Sequence, residues 1–337
     1  MVLDRKEVLL ALHNQTPTHV PVSFWRHFAD NEFTDASQQP TVIQTNLNGH
    51  RDYYDRVHVD FAKTMLDGYF PYPFRGVDNP LDPDQLLNLQ PLSADDPWIK
   101  GQVDLASQQQ LITGDRPVFI TMFSPLILFK WALFEHYVEP LTTGDHRFAD
   151  LYEQHPQLVV TVLNQMAADL KTLATALMAN TNIDGIYYST QSIQDSRVDN
   201  HRFFEEIMEP IDMKVQDSIN AVSPLNILHI CGFDGATNQL DWFKDYSLQV
   251  INWATGVDHY SLAEGKKLFN DRPVLGGFDN STKGVLYTGT QQQIQDEVQR
   301  LISEAGKQGV LLGADCTVPR DISYQRLNWA IEAAHQI

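Results

Sequence analysis

A chain of 337 residues with 24 Lys and Arg against 43 Asp and Glu, a formal charge of −19, would repel phosphate backbones and anionic lipid surfaces, which removes nucleic acid from the expected partners. Its first residues, Met1 to Glu7, put charges where a secretory segment needs an apolar core, and no apolar run reaches the ~18 residues of a membrane span; the expectation is a soluble, cytoplasmic protein with no membrane association. The length suits one barrel with insertions, and two cysteines exclude a disulfide scaffold.

Residues 4–14 carry Val8, Leu9, Ala11 and Leu12 near helical spacing with Asp4 as N-cap, so a short helix opens the chain before Pro17. Val20–Arg26 reads as the first strand, its proline tolerable at the beginning, and a polar helical region follows through Arg51–Tyr54. The second strand is Val59–Met65, leading to Asp67-Gly68. Residues 68–98, rich in Pro, Gly and Asp, read as a loop long enough to be a lid, a binding wall or a docking surface. Arg116–Ser124 is the third strand, and the apolar segment Leu126–Phe134 after it is a candidate pocket lining. One long helix is expected over about Leu151–Ala179, with Leu158, Val162, Met166, Leu170, Leu173 and Leu177 on one stripe.

Gly185–Gln191 is the fourth strand, followed by a helix over Phe203–Ser218. Asn226–Gly232 is the fifth, Val250–Thr255 the sixth, Pro273–Asp279 the seventh and Val310–Asp315 the eighth, with a helix over Gln291–Ala305 before the last. Eight strands alternating with helices predict an α/β fold: a single (β/α)8 TIM barrel over 1–337 with a short N-terminal helical extension, whose chemistry sits where strands exit at the C-terminal face. Arg26, Asp67, Ser189 and Gln191 come at or just past such exits, as do His229, Cys231, Asp279 and Cys316. Ser124 and Asn252 do too, but read better as cap or turn residues.

The two-residue period of a strand places His229 and Cys231 on one face, and Cys316 ends a later strand. One imidazole and two thiolates are a ligand set for Zn²⁺. Two buried spectator cysteines with a hydrogen-bonded core histidine are the alternative, and a disulfide is a third, disfavoured in a reducing compartment.

His229-Ile230-Cys231-Gly232 followed by Cys316 resembles the zinc-dependent methyltransferases that pass a methyl group from a corrinoid protein to a thiol such as coenzyme M, a branch of the uroporphyrinogen decarboxylase superfamily. Asp184–Ser189, Phe123-Ser124-Pro125, Gly276–Asn280 and Leu312-Gly313 are similar to that superfamily as well, so the likeness spans nearly the whole chain. It implies zinc on His229, Cys231 and Cys316, a small thiol in the open position, and cobalamin carried by a partner protein, since the chain has no Asp-x-His-x-x-Gly corrinoid signature. Relatives carry an acid near the end of the sixth strand; the nearest here is Asp258.

Asp67 and Ser189 match the decarboxylase pattern and are the catalytic candidates. Tyr188, Gln191 and Asp279 are expected around the mouth as substrate-binding residues, with Arg26 at the rim. The runner-up reading is a cofactor-free decarboxylase of a tetrapyrrole, for which Arg26 alone supplies too little positive charge against eight carboxylates. The third is a non-catalytic binder of metal or tetrapyrrole. A homodimer is compatible with the sequence without being specified by it.

Overall fold

Seven of the apolar runs are strands: β1 Ala62–Thr64, β2 Val118–Phe123, β3 Gly185–Thr190, β4 Ile227–Ile230, β5 Val250–Trp253, β6 Val274–Phe278 and β7 Val310–Ala314. They pair in sequence order and all in parallel. Helices between them cover the outer face, which is why both faces of most strands are buried and the runs read as continuously apolar. The computed structural model describes residues 3–337, and among these no helix is long and apolar enough to cross a membrane.

The sheet curls into a TIM-barrel-like fold, but the expected eighth regular strand is not present. Residues 20–25 lie between β7 and β1 as an extended segment with a single bridge, Val22 to Leu312. Leu312 N–H donates to Pro21 O, Ser23 N–H to Leu312 O, and Asp60 N–H to Val22 O. The ladder stays short because Pro21 has no N–H and the Val22 N–H is taken by the Asp60 carboxylate at 2.8 Å. Asp60 also accepts from Leu3 N–H and pairs with His335, so this carboxylate ties three segments together at the end of the barrel away from the strand exits.

The opening helix runs over Arg5–Leu12, capped by the Asp4 side chain, which accepts from Lys6 N–H. Ser124 caps the helix Pro125–Trp131, and the Asn252 side chain, fully buried, accepts from Tyr187 Oη and donates to Leu275 O. The single helix expected over Leu151–Ala179 is two, Thr142–Gln154 and Pro156–Asn180. Proline has no N–H to give and disfavours αR in the residue before it, so His155 takes φ −136° and the axis breaks there.

Residues 68–98 are also not a free lid. Tyr72 Oη and Leu92 N–H both bond to Asp169 on the helix Pro156–Asn180, and Tyr72, Phe74, Leu86 and Leu92 are buried, so the segment lies against the barrel's flank. The sequence shows prolines and little periodicity there but cannot show which helix the loop's apolar residues meet.

β3 orders the site. Its inward residues, Tyr187 and Ser189, face the barrel interior; Tyr188 and Thr190 face the helix Glu209–Val222, where both hydroxyls donate to Asp212. Ser189 pairs in register with His229. At the strand's start a Cβ on Gly185 would stand 1.7 Å from Leu225 O, a backbone atom that cannot swing aside. Gly185→Ala is therefore expected to cost at least the ~3 kcal/mol upper end of ordinary overpacking, read as a lowered urea midpoint with unchanged slope. A midpoint within error of wild type would show that β3 and β4 can separate freely.

Candidate metal centre and its cavity

At the C-terminal ends of β4 and β7 the side chains of His229, Cys231 and Cys316 converge, with ligand atoms all within 4.8 Å of one another. The two sulfurs are 4.0 Å apart and both cysteines are free. Two thiolates on one tetrahedral zinc at ~2.3 Å stand ~3.8 Å apart, whereas a disulfide needs ~2.05 Å, so the spacing fits a shared metal. Both His229 ring nitrogens are buried without a hydrogen-bond partner, which is costly for a core histidine and expected of a ligand. The imidazole leans on the Tyr187 ring, centroids 5.2 Å apart.

Without a metal the thiols share protons unequally. Cys231 is pushed well up by its hydrogen bond to Cys316 and by burial, and Cys316 is held well down by that same bond, with help from His229. The chain around Cys231 is fixed through its carbonyl, which accepts from Gln191 Nε2 and Asn238 Nδ2, both at 3.1 Å. Gln191 Oε1 in turn accepts from Lys130 Nζ at 2.7 Å, and Lys130 is paired with Asp145. Beside Cys316, Asp315 turns away to accept from Thr255 Oγ1 and Gly256 N–H; burial raises its carboxyl to about 7. Asp258 is outside the converging trio; it accepts from Asn238 N–H at 2.8 Å, and Asn238 in turn donates to Cys231 O.

The trio lies on the wall of a small cavity of about 60 Å³ that opens at the strand exits. Its other walls are largely aromatic: Trp25, Phe33, Phe70, Phe123, Trp131 and Tyr187. Among the expected residues, Ser189 and Gln191 line this cavity. The other four lie elsewhere. Tyr188 cannot share a face with Ser189, because neighbours in a strand point oppositely, and it sits behind the sheet on Asp212. Asp67 is fully buried with both oxygens engaged, Oδ1 by His27 Nδ1 at 2.7 Å and Oδ2 by the N–H groups of Phe28 and Ala29. Burial would raise its carboxyl, but those hydrogen bonds outweigh it and hold the group at about 2. Asp279 is exposed and closes a turn on Ser281 N–H, while Arg26 lays its guanidinium over Phe28 and Tyr324.

The buried cation of the cavity escapes the reading by strand exits. Lys63, only 4% exposed, sits inside β1 rather than past it, with Nζ 3.0 Å from Met65 Sδ and 4.8 Å from the Tyr187 ring centroid. Among the described residues no carboxylate pairs with it, and burial lowers its pKa to about 8. A lysine in an otherwise apolar strand was the available signal. His27, also on the cavity wall, comes with Arg26 at the exit of the first expected strand, where the reading by strand exits puts it.

A parallel, TIM-barrel-like sheet here brings one imidazole and two thiols together at its strand exits, a group that could hold a metal ion. The uroporphyrinogen decarboxylase (URO-D) family model matches residues 145–337, more than half of the chain, and the chain belongs to that family. None of the curated proteins matches it. Among solved structures, it is similar to a methyltransferase from Methanosarcina mazei at TM-score 0.70 and 14% identity, over 98% of each chain. A B12-independent methionine synthase from Shewanella sp. W3-18-1 follows at TM-score 0.57 and 13% identity, over 95% of this chain and 97% of the other. Endo-glycoceramidase II from Rhodococcus sp. reaches TM-score 0.51 at 12% identity, over 94% and 79%. At such identities the likeness is one of fold, and proteins of unlike chemistry share it.

Proposed function

We propose that the chain methylates the sulfur of a small acidic thiol, with zinc held by His229, Cys231 and Cys316 and the methyl group brought on the corrinoid of a partner protein. The observation that carries this reading is the convergence of the three ligand atoms inside an aromatic cavity that contains one unpaired cation. Bound there, zinc would supply a Lewis acid that favours the thiolate form of the acceptor. Methyl transfer also agrees with two structural neighbours, a methyltransferase and a B12-independent methionine synthase.

The chain's own residues do the rest. The Tyr187 ring is shared by His229 and the Lys63 ammonium, so an acceptor with sulfur at the metal trio and a short acidic tail can reach Lys63. A buried ammonium without a counter-charge is expensive, and an anionic tail would relieve that cost. The aromatic walls keep water from the sulfur. Decarboxylation of uroporphyrinogen fits less well, because the cavity lining holds one lysine and no arginine, and both Asp67 oxygens are already bonded.

The test is methyl transfer from methylcobalamin by zinc-loaded protein to 3-mercaptopropionate and to neutral 2-mercaptoethanol. A charge-assisted contact worth ~1.5–3 kcal/mol predicts a preference of roughly 10- to 100-fold for the acid, collapsing toward one in Lys63→Met. Metal-independent release of CO₂ from uroporphyrinogen, with no methylated thiol, would overturn the assignment.

A further inference from the structure

We infer that His27 is the base that takes the proton from the incoming thiol, oriented by Asp67 and relieved of the proton through Glu32. This rests on the thiol chemistry proposed above but not on the identity of the methyl donor. His27 lines the cavity of the metal trio, on the segment between β7, which ends next to Cys316, and β1. Its Nδ1 lies 2.7 Å from Asp67 Oδ1, and Asp67 is an ionised acceptor with its other oxygen pinned by two backbone N–H groups. Nδ1 therefore carries the hydrogen, and the Nε2 lone pair is free. This is the arrangement by which a buried carboxylate fixes the tautomer of a general base. The ring packs edge-on against Phe70, centroids 5.4 Å apart, so its aim is held.

The groups facing His27 assign one direction to the proton. Asp67 is on one side; on the other, Glu32 Oε1 stands 3.9 Å from Nε2, too far for a hydrogen bond with the neutral ring. Glu32 Oε2 is taken by Tyr137 Oη and Arg320, and Tyr137 is 62% exposed, so this carboxylate connects the cavity to solvent. The neighbouring His50 is no rival: Nδ1 bonds to Asn46 O and Nε2 accepts from Met65 N–H. Lys63, in the same cavity, has its pKa lowered to about 8 by burial and is mostly protonated at neutral pH. In the step, the S–H bond breaks with its electron pair left on sulfur, the proton bonds to Nε2, and the imidazolium, between the Asp67 and Glu32 carboxylates, keeps it while the thiolate is bound and then passes it to Glu32 or to water at the rim.

The experiment uses zinc-loaded protein with ¹⁵N-labelled histidine and 3-mercaptopropionate at pH 7.5. The His27 Nε2 resonance should move to the protonated position on adding thiol, whether or not a methyl donor is present. In turnover, His27→Gln should lose ~10²-fold or more in kcat/KM near pH 7 and regain part of it as pH rises. Asp67→Asn keeps an oxygen for the Phe28 and Ala29 N–H groups but presents an amide N–H to Nδ1, forcing the wrong tautomer; it should give the same loss and tests the idea if the glutamine variant misfolds. An unmoved Nε2 resonance, or variants whose pH profiles parallel wild type within threefold, would overturn the inference. Protonation of His27 without any thiol methylation would instead leave it standing and remove the methyl-transfer reading.

Discussion

Cys316→Ser will retain little zinc after dialysis that leaves the wild-type chain loaded. A neutral hydroxyl is a far weaker donor to zinc than a thiolate, and losing one of three protein ligands should exceed the roughly 10- to 100-fold that changes outside the ligand shell cost in affinity. Metal bound only to the folded state adds stability, about 4 kcal/mol at a thousandfold excess over Kd, so a chelator should lower the wild-type melting temperature and leave the variant's where it is. If Cys316 were only a small residue packed near β7, the substitution would cost ~1–3 kcal/mol for a buried hydroxyl and leave zinc content unchanged. The sulfur separation of 4.0 Å and the two unpartnered His229 nitrogens favour the first outcome. Metal stoichiometry and melting curves on both proteins, with and without chelator, separate the two.

The convergence of His229, Cys231 and Cys316 was legible in the sequence because its information is local. His229 and Cys231 are two apart in a strand, and the strand period alone puts them on one face; Cys316 needed only the rule that barrel chemistry gathers at strand exits. The rule failed where side-chain direction mattered more than position along the strand. Tyr188 and Ser189 cannot both face the cavity, and applying the period of two to β3 would have chosen Tyr187. Asp67 was found, but its partners, His27 and the Phe28 and Ala29 N–H groups, are some forty residues away in sequence, and nothing local signals that its oxygens are used up. Lys63 was passed over because it lies before the exit of its strand, although a cation buried among apolar neighbours is the more informative kind of exception.

The fold shows the same division. Seven strands follow from apolar runs bounded by turn residues, whereas the segment from Val20 has a strand's composition and too few free donors. Pro21 lacks one and Asp60 takes another, a competition with a side chain 38 residues on that no pattern within the segment reveals. The long loop is divided too: Phe70 stands on the cavity wall, in keeping with a binding wall, but prolines signal only irregular backbone, and the Asp169 contacts alone disclose that the rest is packed.

Asp212 should make the protein less stable as pH rises from about 4 to 6, the reverse of the usual effect of a carboxylate. It is fully buried behind β3 and accepts from Tyr188 Oη, Thr190 Oγ1 and Tyr246 Oη; burial raises its pKa from 3.8 to about 6 despite those hydrogen bonds. The folded state then holds a proton that the unfolded state has released. Stability from this group is complete below the unfolded value and is lost as pH rises through the folded one, a change of about 3 kcal/mol at 1.36 kcal/mol per unit. Asp67, at about 2, behaves oppositely and loses its contribution only at lower pH, outside this window. Asp258 and Asp315 are raised too, so the quantity to measure is the difference between wild type and Asp212→Asn, in which they cancel. Urea unfolding at steps between pH 4 and 7 should show wild type falling relative to the asparagine variant by that amount, then running parallel. Asp212→Ala, which strands three buried hydroxyls, should be destabilised throughout by ~1–3 kcal/mol or more, and by loosening Tyr188 and Thr190 should disturb Ser189 and Gln191 on the cavity face. Parallel curves for wild type and asparagine across the whole range would mean that the three hydroxyls hold Asp212 ionised at its ordinary pKa.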